Sequence, residues 1–221
     1  MKLLINAFMK FTVGLVFVGA LLFLPAGTFA YMNAWLFIGL LFVPMFILGA
    51  VLFVKSRNLL EKRLDVKEKM GSQRGVVSLS GVVFIVGFVI AGLDFRFSWS
   101  NIPLWAVILF SVLLIFSYAL YAEVMRENSY LSRTVQVSEN QKVVDTGLYS
   151  VLRHPMYLAT VIMFLSIPIV LGSLWSFLCF FFYIPLIAVR INEEEKLLEK
   201  ELSGYSEYKK RVKYKMIPFI W

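Results

Sequence analysis

The chain has 221 residues, 60% of them hydrophobic, and 22 Lys and Arg against 14 Asp and Glu give a net charge of +8. Soluble domains are about 45–50% apolar, so an ordinary soluble fold is excluded. A single Cys, Cys179, and a single His, His154, exclude an internal disulfide, a structural zinc site and a histidine-rich metal centre.

The apolar residues are gathered into long runs. Residues 11–54, 75–93, 97–122 and 155–189 contain no Asp, Glu, Lys or Arg. A hydrocarbon core about 30 Å thick needs about 20 apolar residues to cross it. In chain order the predicted helical segments are 11–30, 35–54, 76–93, 102–122, 155–171 and 174–189. Lys2, Lys10 and the end of the first run, Pro25-Ala26-Gly27-Thr28-Phe29-Ala30, share features with a secretory leader. The length of that run and the second span just beyond it favour a retained helix. Tyr31-Met32-Asn33-Ala34 makes a tight reversal between the first two segments, and Gly172-Ser173 another between the last two. The sixth segment has 16 residues, about 24 Å of helix. Pro168 and Pro185 interrupt the last pair, which reads as a short helical hairpin able to line a cavity inside the protein.

The charged connections have distinct characters. Residues 55–74 mix acids (Glu61, Asp65, Glu68) with bases and read as a solvated interfacial helix. Residues 123–153 combine charge with β-formers, Thr134-Val135-Gln136-Val137 and Val143-Val144, and read as an ordered loop. Residues 190–215 read as a charged helix broken near Ser203-Gly204. With six crossings, every basic residue except Arg96 falls on one side, which places both termini in the cytoplasm. The basic excess therefore faces an anionic inner leaflet, and nucleic acid is rejected as a partner. The expected fold is an all-α polytopic membrane bundle with a cytoplasmic C-terminal helix. Residues 1–122 form the N-terminal spans and residues 123–221 a second unit.

Two clusters carry chemistry. The first is Gly147-Leu148-Tyr149-Ser150-Val151-Leu152-Arg153-His154-Pro155-Met156-Tyr157. Pro155 suits the first turn of a helix, whose free N–H groups, beside Arg153 and His154, offer a place for an anion. Interfacial anchoring accounts for the same residues. The second is Arg190-Ile191-Asn192-Glu193-Glu194-Glu195. On a continuous helix Glu194 lies on the face of Arg190, and Glu195 points about 100° away. A juxtamembrane helix laced with ion pairs is the plainer account of this run.

The order of the two clusters around a hairpin is more specific. Gly147, Tyr149, Arg153, His154, Pro155 and Tyr157 precede it; Arg190, Glu194, Glu195 and Leu198, then Gly204, Tyr205, Tyr208 and Pro218, follow it. This pattern, over about residues 136–221, resembles the C-terminal module of the isoprenylcysteine carboxyl methyltransferases and phospholipid methyltransferases. Some membrane reductases carry related modules. The stretch Leu202-Ser203-Gly204 departs from the family's Phe-Gly.

The resemblance implies S-adenosylmethionine as cofactor. It implies cofactor contacts at Gln141, Lys142, Val143, Val144, Tyr149, His154, Pro155, Met156, Tyr157 and Glu194, no metal, and Arg190 as the residue that orients the acceptor. The expected activity is methyl transfer, in the inner or plasma membrane, to a lipophilic acceptor arriving from the bilayer. An isoprenylcysteine-like carboxylate is preferred because it is already ionised at neutral pH and needs no base. A phospholipid amine is the alternative. An NADPH-dependent membrane reductase, or a transporter or scaffold, are alternatives of another class. The absence of ionisable residues within the long runs counts against transport.

Overall fold

The computed structural model describes residues 2–64, 71–131, 137 and 140–221. The expectations for Asp65, Lys67, Glu68, Lys69, Arg133, Thr134, Val135 and Gln136 lie outside these residues. Among the described residues every regular element is helical. The order is α1 (Lys2–Ala26), α2 (Met32–Lys55), α3 (Arg57–Leu64), α4 (Gly71–Phe97), α5 (Leu104–Glu127), a 3-10 turn (Gly147–Ser150), α6 (Pro155–Val170), α7 (Leu174–Phe181), α8 (Tyr183–Glu201) and α9 (Tyr205–Arg211).

Helices α1, α2, α4, α5 and the α7–α8 stretch are each long and apolar enough to cross a membrane. The shorter α6 also runs the depth of the bundle. At its start Met156 meets Arg63 of α3. Past its end the Leu171 carbonyl accepts from the Tyr31 hydroxyl at 2.5 Å. The chain is thus an integral membrane helical bundle.

The boundaries differ from expectation in four places. Helix α1 starts near Lys2 and stops at Ala26, because Gly27 turns left-handed (φ +70°) and returns its N–H to the Phe23 carbonyl. Helix α3 is not simply solvated, since it buries Leu59 and Leu60. Residues 123–127, expected in a loop, complete α5. The second arm of the hairpin runs on into the charged stretch as expected, 28 residues from Leu174 to Glu201, but as two helices, α7 and α8. Its break falls at Phe182, whose N–H turns back to the Cys179 carbonyl at 3.2 Å. Pro185 has no N–H for the carbonyl of Phe181, so a straight helix is not available there.

Apolar side chains from α1, α2, α4, α5, α6 and α7, including Leu22, Phe37, Phe88, Leu114, Ile167 and Phe180, make the main core. Inside lipid, close contact is set by small residues. At Gly87 a Cβ would come within 2.4 Å of the Phe180 ring, so only glycine lets α4 and α7 meet there.

At the end of the bundle that holds Arg96, one carboxylate joins two connections. Asp94 accepts from Ser100 N–H and Ser100 Oγ, both at 2.7 Å, and from Ser173 Oγ at 2.5 Å. Ser173 in turn caps α7, accepting from Ser176 N–H at 3.0 Å. The opposite, basic end carries the charged helices and the tail. There Tyr205, Tyr208, Leu202 and Val212 form a small separate core with Val143 of the preceding loop.

Candidate functional site

The site lies at the basic end, where α5, the loop after it, the first turn of α6 and the polar half of α8 converge. The loop is pinned by Glu127, the last residue of α5. Its carboxylate accepts from Leu148 N–H at 3.1 and 2.9 Å. A Cβ on Gly147 would lie 1.8 Å from Glu127 Oε1, and Gly147 itself has φ +56°. Both facts require glycine.

The 3-10 turn then places Tyr149. Asn128 Nδ2 donates to its hydroxyl at 3.1 Å, and Tyr208 Oη donates to its carbonyl at 2.7 Å. Burial raises the Tyr149 and Tyr208 phenols above their ordinary pKa, so both stay protonated donors at any physiological pH.

Arg153 and His154 enter α6 together, and Pro155 occupies its first position. The anion that meets them is Glu195. Arg153 Nε donates to Glu195 Oε1 at 2.7 Å, and His154 Nε2 lies 3.3 Å from the same oxygen. Arg153 Nη1 also donates to the Val212 and Lys213 carbonyls at 2.6 and 2.8 Å. The backbone joins in: Arg153 N–H reaches the Tyr214 carbonyl at 3.0 Å, and His154 N–H the Lys215 carbonyl at 2.8 Å. The tail is thereby fastened to the start of α6. An arginine with all these acceptors is a structural clamp, a role that the sequence reading did not assign to Arg153 or to Glu195. Their adjacency to His154 and Glu194 was the available signal.

On the next face of α8, Glu194 and Arg190 flank Tyr157. The Tyr157 hydroxyl donates to Glu194 Oε2 at 2.5 Å and accepts from Arg190 Nε at 3.0 Å. Arg190 and Glu194 share a helix face, as expected, but the link between them runs through this phenol. Arg190 Nη1 also reaches Gln73 Oε1 at 3.4 Å, and Gln73 Nε2 the Arg190 carbonyl at 3.4 Å. Gln73, fully buried at the start of α4, was not anticipated.

These groups border one cleft, open to solvent, with about 840 Å³ of empty space. Of the residues expected at a cofactor site, Gln141, Lys142, Val143, Val144, Tyr149, His154, Met156, Tyr157 and Glu194 line it, as does Arg190. Pro155 does not; it shapes the helix start. Asn128, Tyr130 and Leu131 were missed because a loop wall leaves no periodic pattern. Tyr205 also faces the cleft, and its hydroxyl is buried with no hydrogen-bond partner among the described residues. Burial, with Glu195 and Glu194 nearby, raises its pKa, so it stands ready as a donor.

The chain was then compared with known proteins. Residues 102–204 match the phospholipid methyltransferase family. The chain is also similar to Delta(14)-sterol reductase TM7SF2 from Mus musculus, 30% identical over 91 residues. Those residues are 40% of this chain and 22% of that protein, so the chain matches about a fifth of the relative's length. The family match begins just before α5 and ends just before α9, leaving α1 to α4 outside it. Residues 102–204, which carry most of the cleft, are thus similar to the isoprenylcysteine carboxyl methyltransferase and phospholipid methyltransferase superfamily, and the chain is an integral membrane protein.

Proposed function

We propose that this protein is an S-adenosylmethionine-dependent membrane methyltransferase with a lipophilic acceptor, and that the acceptor is an isoprenylcysteine-like carboxylate. The observation that carries this reading is the set of groups brought together in one cleft. Arg190, the Glu194 carboxylate and the Tyr205 hydroxyl, which has no partner among the described residues, all line it. A buried hydroxyl without a partner costs about 1–3 kcal/mol, which a bound polar group recovers.

The residues fit the cofactor. Glu194 keeps an oxygen with no bond among the described residues, suited to an ammonium or a ribose hydroxyl. Tyr205 supplies a donor, and the start of α6 supplies the partial positive charge of a helix N-terminus for a carboxylate. Tyr130 and Tyr149 add aromatic walls. When bound, S-adenosylmethionine supplies an electrophilic methyl group.

The protein's own contribution is alignment. The Tyr157 hydroxyl ties Arg190 to Glu194, which fixes the spacing between the group that would orient the acceptor and the group that would hold the cofactor. In-line displacement depends on that spacing more than on acid–base help. A carboxylate acceptor is ionised at neutral pH, so no residue has to remove a proton, and a guanidinium can orient it. Both termini lie at the basic end of the bundle. The positive-inside pattern makes this the cytoplasmic end in an inner or plasma membrane.

Methylation of a phospholipid amine is favoured by the family match, but the amine must first lose a proton, and Glu194 and Tyr157 are the groups at hand. A reductase reading draws on the likeness to the sterol reductase. Calorimetric titration of the detergent-solubilised protein with S-adenosylmethionine, S-adenosylhomocysteine and NADPH separates these classes. The two adenosyl compounds should bind and NADPH should not. Glu194→Gln should weaken S-adenosylmethionine by about 10- to 100-fold, the loss of one charged hydrogen bond. NADPH binding without adenosyl binding would overturn the proposal.

A further inference from the structure

Helix α3 brings one more guanidinium against Met156, a residue of the cleft lining. Arg63 is half-buried. Its Nη2 lies 3.1 Å from Met156 Sδ, and its guanidinium carbon sits 5.1 Å from the centre of the Tyr121 ring. Its Nε is shielded from solvent and has no hydrogen-bond partner among the described residues. A thioether is a weak acceptor and a ring face accepts nothing from Nε, so this cation has no anion among the described residues. The contrast with other arginines is sharp. Arg153 has a carboxylate and two carbonyls, Arg126 has Glu123, and Arg211 has Asp145.

We propose that Arg63 is a second anion-binding residue of the cleft, and that it grips the acidic headgroup of the lipophilic acceptor together with Arg190. Arg63 touches Met156 and Arg190 touches Tyr157, consecutive residues of the first turn of α6. Met156, Tyr157 and Arg190 line the cleft, and Arg63 reaches that lining at Met156. The two guanidinium groups therefore approach the same helix N-terminus, whose partial positive charge adds to theirs. Helix α3 directly follows a membrane span, so Arg63 stands at the depth of lipid headgroups. The recognised chemistry is an oxyacid on a lipophilic tail, either a carboxylate or a phosphodiester. A neutral headgroup gains nothing from this pair.

The identity of the acceptor rests on the methyltransferase reading above; the preference of Arg63 for an acid does not. The test uses the full-length protein in detergent with Arg63→Gln and Arg63→Lys. One arm measures binding of N-acetyl-S-farnesylcysteine and of its carboxamide. A second measures methyl transfer from labelled S-adenosylmethionine to farnesylcysteine or to phosphatidylethanolamine vesicles. Calorimetry with S-adenosylmethionine serves as the control for an intact cleft.

The wild type should bind the acid more tightly than the amide. Arg63→Gln should weaken the acid by about 10- to 100-fold, the range for a charge-assisted contact, and leave the amide and the cofactor unchanged. Lysine should restore part of the loss. An Arg63-dependent KM for phosphatidylethanolamine alone would support the residue's role and assign the headgroup as the phosphodiester. An acid preference that depends on Arg63 without any methyl transfer would sink the methyltransferase reading but not this one. An unchanged acid-to-amide ratio in Arg63→Gln, together with an unchanged phosphatidylethanolamine KM, would overturn it. So would a cofactor affinity that falls as far as the acceptor's, since Arg63 would then merely support the fold.

Discussion

Glu195→Gln is the sharpest probe of how the site is held together. Glu195 faces Arg153, His154, Lys215 and Lys209, the last also paired with Glu199, at 2.7, 3.3, 3.3 and 3.7 Å. Its side chain and that of Arg153 are each only 4% exposed. Glutamine keeps the shape but removes the charge, leaving Arg153 with two carbonyls and no anion. Breaking a buried pair from one side costs about 3–5 kcal/mol. The two lysines are more exposed and can turn to water, so the lower end, about 3 kcal/mol, is expected. For a chain of this size that is a drop in Tm of about 6–12 °C. The loss should fall first on the tail, because Arg153 is what holds residues 212–215 against α6. Two measurements check it: thermal unfolding in detergent, and trypsin cleavage between Lys209 and Lys213, which should accelerate while the spans stay intact. Glu193→Gln is the control, since its pair with Lys196 is exposed and contributes less than about 1 kcal/mol. A Glu195→Gln protein with wild-type Tm and a protected tail would refute the clamp.

Arg190→Ala should leave S-adenosylmethionine affinity nearly intact while kcat/KM for the acceptor falls about 30- to 1000-fold, with lysine rescuing only partly. The damage should persist at saturating cofactor in a Glu194→Gln background, and full suppression there would end the acceptor role. Gly147→Ala meets both a left-handed backbone and the Glu127 carboxylate. It should cost about 1–3 kcal/mol, read as a lower Tm, and should loosen the loop enough to weaken cofactor binding. Reporter fusions after Trp221 and near Arg63 should report the cytoplasm, and fusions near Trp99 the other side; a periplasmic signal at Trp221 would break the topology.

The spans were legible because lipid imposes a crude and strict demand on composition. The runs without charge mark α1, α2, α4, α5, α6 and α7–α8, and errors fall only at their ends. Those ends depend on backbone details such as the left-handed turn at Gly27 and the missing N–H of Pro185. The cleft was legible through its module, since spacing carries Tyr149, Tyr157, Arg190 and Glu194 to one place. What the residues could not convey is which of two neighbouring glutamates faces which partner. Glu194 and Glu195 differ by one step on α8, yet one borders the cleft and the other is sealed beneath the tail. Arg63 and Gln73 were illegible for another reason. Each is a polar residue in a stretch that looks like ordinary membrane flank, and only the packing of α3 and α4 against α6 brings them to the site.

The clamp at Arg153 also dictates an order of assembly. Its carbonyl partners lie 59 and 60 residues further along the chain, beyond both arms of the hairpin. While the ribosome is still making α7 and α8, Arg153 has neither these acceptors nor Glu195, and the wall contributed by Tyr205 and Tyr208 does not yet exist. A nascent chain can therefore be threaded through the translocon with its spans in place while the cleft is still unformed. The membrane-embedded part matures first and the chemistry last, once residues 195–215 have emerged and closed over the start of α6.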